Sequence, residues 1–187
     1  VYHILVHGFL SSIGHFVLSV SGVGRTLVTT FDGGNQYSGV SFDLASTECI
    51  TIKEWAFNMK ESGSFSAELW YRSGTNEGFL NDPSAGWVQL GTTASLTGPG
   101  GPTVVDFEEN IQIQAGESFG FIYMTSTSVA YTNVGGSVPK TNTSSDGILT
   151  FEAGSGLPRP IFGGIPIGNR VANIQVTYHL CPSLQPE

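Results

Sequence analysis

Charged side chains are scarce in this chain. Asp, Glu, Lys and Arg make up 12 % of its 187 residues, about half the usual share. Cations are scarcest: seven Lys and Arg stand against fifteen Asp and Glu, for a net charge of −8. Lys53, Lys60, Arg72, Lys140, Arg159 and Arg170 are scattered along the sequence. Nucleic acid needs clustered cations against its phosphates, so it is excluded as a partner. Helical periodicity is also missing, because no window repeats apolar residues at i, i+3, i+4 and i+7 without a Gly or Pro interrupting it. A membrane-spanning run is lacking too. The most apolar stretch, Val1–Gly22, is broken by His3, His7, Gly8, Ser11, Ser12, Gly14 and His15, which makes it a poor span.

Glycine, at 25 residues, and many Ser, Thr and Asn side chains take the place of charge. Apolar residues are still 40 % and mean hydropathy is +0.07, so the composition is not that of a disordered chain. A domain of this length hides roughly 70 % of its unfolded surface. Few charges with many hydroxyls and glycines suit a secreted β protein, whose strands need turns more than ion pairs.

Short alternating runs recur between turn clusters. Leu27, Thr29 and Phe31 precede the turn Asp32-Gly33-Gly34-Asn35, and Val40, Phe42 and Leu44 follow it. Ile50 and Ile52 share one face, while Trp55, Phe57 and Met59 continue one residue out of step. That slip predicts a β-bulge near Lys53 and Glu54. Phe65 to Tyr71, Val88 and Leu90, Val105 and Phe107, Ile111 and Ile113, Phe119 to Tyr123, Val129 and Tyr131, Leu149 and Phe151, and Ile174 to Tyr178 complete the set. The prediction is an all-β chain: a single antiparallel β-sandwich of jelly-roll type with about nine or ten strands over 23–187, plus an apolar strand-like extension over 1–22. Turn-rich stretches are expected at Ser73–Gly86, Thr97–Pro102, Asn133–Gly147 and Gly154–Asn169, the last read as a Pro/Gly loop.

Within the extension, Phe16, Leu18 and Val20 alternate with Val17, Ser19 and Ser21, a strand pattern. Three readings stay open: a first strand of the same domain, a strand that pairs with a neighbouring copy, or a retained leader that lacks Lys or Arg before its apolar run. The two cysteines, Cys49 and Cys181, flank the core. A jelly roll sets its first and last strands side by side, so the pair can meet as a disulfide in an oxidising compartment; two separate buried thiols are the alternative.

The run Leu69-Trp70-Tyr71-Arg72-Ser73-Gly74, then Gly86-Trp87-Val88-Gln89-Leu90-Gly91, then Ile113-Gln114-Ala115-Gly116-Glu117-Ser118-Phe119-Gly120-Phe121 resembles a jelly-roll module common in secreted and surface proteins of bacteria. The resemblance covers roughly Thr29 to Tyr178. It implies secretion and a fold, and it implies no catalytic residues.

Catalysis has little to work with. Three of the four histidines, His3, His7 and His15, lie in the apolar stretch, and the fourth is His179. Gly154-Ser155-Gly156 has loop composition rather than that of a nucleophile elbow. Glu108 and Glu109 are adjacent, so in a strand they would face apart, which argues against a glycosidase pair. Glu54 and Glu61 read as solvated acids. His3 and His7 are two ligands without a third, so no metal site is assigned. No cofactor is expected beyond a structural calcium held by turn oxygens at Asp32-Gly33-Gly34-Asn35, Asn81-Asp82 or Asp146. Trp55 alternates with Phe57 and reads as core; Trp70, between Glu68 and Arg72, is the candidate for stacking on a sugar ring. The function expected is therefore a non-catalytic extracellular structural or assembly module, a surface filament subunit joined by N-terminal strand exchange through Phe16, Leu18 and Val20. Its partners would be its own copies at sheet edges. A carbohydrate-binding or adhesive module, with polysaccharide as partner, is the alternative.

Overall fold

The computed structural model describes residues 24–107 and 109–182. The expected extension strand, with Phe16, Leu18 and Val20, lies outside them. The described residues form twelve strands: β1 (Arg25–Val28), β2 (Asn35–Ser46), β3 (Ile50–Asn58), β4 (Ser62–Ser73), β5 (Val88–Pro99), β6 (Pro102–Val105), β7 (Gln112–Ile113), β8 (Ser118–Asn133), β9 (Thr141–Thr143), β10 (Leu149–Leu157), β11 (Ile167–Ala172) and β12 (Ile174–Leu180). One sheet has five strands in the order β1-β12-β3-β6, with β7 also on β3. The other has seven in the order β11-β10-β2-β8-β4-β5, with β9 on β10. Every pairing is antiparallel.

Four of these pairings nest. β4 pairs β5, β3 pairs β6, β2 pairs β8 and β1 pairs β12. Successive pairs fall alternately in the seven-stranded and five-stranded sheets. A long antiparallel ribbon rolled up in this way is the jelly-roll sandwich that the sequence predicted. The segment between β8 and β12 adds β9, β10 and β11 to the larger sheet, beyond β2. There β11 bonds both β10 and β8, so β2, β10, β11 and β8 close a small ring at one end.

Three boundaries differ from the sequence reading. Val129 and Tyr131 do not begin a separate strand, since β8 runs unbroken from Ser118 to Asn133. Thr97–Pro102 is mostly strand, and the chain reverses only at Gly100 and Gly101, Gly100 having φ 75°. Gly154–Asn169 is not one loop: β10 continues to Leu157 and β11 starts at Ile167. The glycines there answer to packing, because a Cβ on Gly154 would stand 2.5 Å from the Ser41 carbonyl oxygen. With Val129 and Tyr131 merged into β8, the hidden β11 and the very short β9 bring the count to twelve.

The predicted bulge is present. Thr177 pairs Glu54 and Tyr178 pairs Ile52, so Lys53 has no partner in β12. The shift lets Ile50, Ile52, Trp55 and Phe57 all face inward. Between the sheets Phe42 stacks on Phe121 and Phe151, with centroids 5.4 and 5.5 Å apart, and Trp55 lies 5.2 Å from Phe121. Trp55 is thus core, as its alternation indicated. Cys49 and Cys181 form a disulfide just beyond the Ile50–Leu180 end of the β3–β12 ladder. Asn173, fully buried before β12, donates to the Thr30 carbonyl (3.0 Å) and accepts from the Gly33 amide (3.1 Å), which holds the turn after β1.

Candidate functional site

The outer face of the seven-stranded sheet is apolar along β4, β8 and the end of β10. Trp87, Ile122, Met124 and Leu157 are buried there, under residues 74–87 and 158–166. Residues 74–87 are tied down from below. Asp43 Oδ1 on β2 accepts from the Asn76 amide at 2.8 Å, and Oδ2 accepts from the Thr75 hydroxyl at 2.6 Å. Asn76 sits directly on Gly120 of β8, where a Cβ would come 2.5 Å from the Asn76 nitrogen. The Arg72 guanidinium lies 3.9 Å from the Phe79 ring centroid and donates through Nε to the Ala85 carbonyl.

Trp70 belongs to this cluster and is half-buried. Phe162 meets its ring edge-on, with centroids 5.6 Å apart and planes at 84°. Its indole N–H faces Glu68 Oε2 at 3.4 Å, and Glu68 lies 3.8 Å from the Arg159 guanidinium. Phe162 has φ 61°, a left-handed conformation that costs a side chain about 1–2 kcal/mol. The packing of its ring against Trp70 and Trp87 holds it there.

Beside this cluster lies a polar cleft of about 200 Å³, whose lining includes Asp43, Asn76, Lys140, Glu152 and Asn169. Lys140 Nζ stands 2.7 Å from Glu152 Oε1. That hydrogen bond, with the charges of Glu152, Glu77 and Asp43, raises the pKa of the ammonium. A lysine held protonated in this way is neither a base nor a nucleophile at neutral pH. Asp43 is already engaged by Thr75 and Asn76.

On one side the sandwich is open. Sheet edges β5 and β6 meet there, joined by the Gly100-Gly101 reversal, and a groove of about 510 Å³ lies between β5 and the residues after β6. Leu90 and Phe107 are buried in it, Leu96 is half-buried, and Asp106 and Glu109 line its mouth. The Phe107 ring packs on the bare backbone of Gly91, where a Cβ would be only 3.1 Å away. Thr93 Oγ1 is buried in this groove without a hydrogen-bond partner among the described residues. Among the described residues β5 pairs only β4, and its register shifts twice along that pairing.

The structure does not bring the other candidates together. Glu54, Glu61 and Glu109 are exposed, and Glu109 lies in a turn after β6 rather than in a strand; Glu108 lies outside the described residues. His179 is half-buried on β12; His3, His7 and His15 lie outside the described residues. Two of the side chains considered for calcium, Asp82 and Asp146, have partners of their own. Asp82 accepts from the Ser84 amide and hydroxyl, and Asp146 accepts from Ser144, Tyr178, the Ile148 amide and Arg25. No group of three His, Cys, Asp or Glu side chains is placed to hold a metal ion among the described residues. Sequence reasoning missed Thr93, Leu96 and Phe107 as a set, because the open side of a sandwich is a property of strand order. It also missed Lys140, just before β9, with Glu152 on β10, a pair that the β9–β10 pairing brings together.

Fold and site together define a disulfide-closed antiparallel β-sandwich. No family model matches the chain, and no curated protein does. The resemblance to a bacterial surface module is therefore supported at the level of the β-sandwich alone. Among solved structures, the chain is similar to one in the structure of infectious bursal disease virus Gt strain, with TM-score 0.28 and 14 % identity over 96 % of this chain and 47 % of that one. It is also similar to one in the structure of infectious bursal disease virus Gx strain, with TM-score 0.24 and 18 % identity over 91 % and 42 %. This chain spans less than half the length of either. Similarity at that level carries no argument about function.

Proposed function

We propose that the chain is a non-catalytic structural module of the cell exterior that assembles with its own copies through sheet edges, the stretch Val1–Gly22 serving as the exchanged strand. The supporting observation is the position of β1. The apolar stretch runs into a strand that is itself a sheet edge, paired to β12 alone among the described residues. The nested pairs behind it fill the core from residues 24–182. The Cys49–Cys181 bridge suits an oxidising compartment, and no helix among the described residues is long and apolar enough to cross a membrane.

Sedimentation velocity of the full chain across a concentration series tests this. Growing oligomers are expected, and Leu18→Asp in the apolar stripe should abolish them. A full-length chain that stays monomeric at the highest attainable concentration overturns the reading. A saccharide-binding role is the second reading, favoured by the polar cleft at Lys140 and Glu152. Polysaccharide binding that Glu152→Gln removes, in a chain that stays monomeric, would put it first.

A further inference from the structure

We propose that the groove between β5 and the residues after β6 is the acceptor for the apolar stripe Phe16, Leu18 and Val20 of a second copy. The proposal rests on the reading that Val1–Gly22 is exchanged between copies, and it names where the strand goes. β5 is twelve residues long and bonded on one side only, among the described residues. Its free backbone edge can take another strand by β-augmentation. The groove alongside is lined in part by Leu90, Leu96 and Phe107, of which Leu96 is only half-buried and offers an apolar contact to a strand with large apolar side chains at every second position. Charge agrees as well: Asp106 and Glu109 flank the groove, while Val1–Gly22 holds no Asp or Glu and three histidines.

The donor comes from another copy because of where the stretch starts. β1 lies at one edge of the five-stranded sheet and β6 at the other, three strand spacings away, roughly 14 Å. Val20 to Arg25 spans at most about 17 Å fully extended, and the path must also turn the sheet edge and cross the open side. Leaving from the β1 side and entering on the β5 side makes the contact heterologous. Such a contact builds a filament unless the rotation between copies closes it into a ring or a reciprocal pair.

Full-length chains carrying Ser19→Cys are mixed with full-length chains carrying Thr92→Cys, Thr92 being exposed on β5, and treated with a short bismaleimide that tolerates uncertainty in register. A covalent dimer is expected, at least about tenfold more than with Thr177→Cys on the outer face of the five-stranded sheet as acceptor. Leu96→Asp, checked for native circular dichroism, should raise the concentration needed for assembly by at least about tenfold, the change that 1.4 kcal/mol produces. If Leu96→Asp does not fold, the Thr92 adduct decides. Wild-type assembly that Leu18→Asp abolishes, with no preference of the adduct for Thr92, overturns the groove and leaves strand exchange standing. Assembly indifferent to Leu18→Asp overturns both. A chain carrying Ser19→Cys and Thr92→Cys together that closes on itself at high dilution marks insertion into its own groove, and also overturns the proposal.

Discussion

Tyr123 stacks on Phe57 between the two sheets, with centroids 3.5 Å apart, and its hydroxyl has the Met59 sulfur at 3.6 Å as its partner. Burial pushes its pKa up. A thioether is a weak acceptor, so the hydroxyl gains little for its desolvation. Tyr123→Phe should leave stability within about 0.5 kcal/mol of wild type or raise it, as read by denaturant unfolding. Asp146 is the opposite case. Partial burial works to raise its carboxyl, but hydrogen bonds from Ser144, Tyr178, the Ile148 amide and Arg25 outweigh it and hold the pKa at about 2. The buried Tyr178 phenol beside it is raised to about 12. A folded pKa below the unfolded value of about 3.9 means that the unfolded chain binds more protons between the two. The stabilisation is therefore complete above pH ~4 and disappears as pH falls towards ~2. Melts across that window should lose on the order of 1 kcal/mol, after allowance for solvent screening, which Asp146→Asn does not lose. At this scale the sequence was readable where alternation alone decides, as at Trp55 and Phe57. It was silent on Asp43 and Asn173, whose partners come from remote loops, and on the meeting of the Asp146 turn with Tyr178 of β12 and Arg25 of β1.

Strand parity was legible wherever a slip disturbed it, and Lys53 is the clear instance: two interleaved apolar sets meeting at one residue can only be reconciled by a bulge. The strands β10 and β11 were harder to see. Their glycines signal turns in sequence, but Gly154 is small because Ser41 lies against it. Gly154→Ala should cost about 1–3 kcal/mol through collision with that backbone. Gly34→Ala is the control. Gly34 has open space where its Cβ would go and no positive φ, so its melting temperature should stay near that of wild type. Trp70 marks the limit of pattern reading. Alternation placed it on the outer face, and only tertiary packing brings Phe162 across it. Phe162→Ala should expose both Trp70 and Trp87, seen as a red shift and quenching of tryptophan emission.

Over the whole molecule, the disulfide joins positions 132 apart in sequence. Closing a loop of that length stabilises by about 4–5 kcal/mol in the chain-entropy model. Cys49→Ala with Cys181→Ala should lower the denaturant midpoint accordingly with little change in the far-ultraviolet spectrum, and unreduced wild-type chain should weigh about two daltons less than its reduced form. The nesting of strand pairs has a further consequence, for the order in which the chain can fold. β4 and β5 are neighbours in sequence and can meet early. β12, the last of the twelve described strands to be synthesised, lies between β1 and β3, which have no other route to each other among the described residues. The middle of the five-stranded sheet therefore stays vacant until translation has passed Leu180, and Cys49 has no partner before that moment. Contacts this remote in sequence make folding slow, in the millisecond-to-second range for all-β domains. For as long as it lasts, the backbone edges of β1 and β3 that β12 will join lie unpaired on the nascent chain.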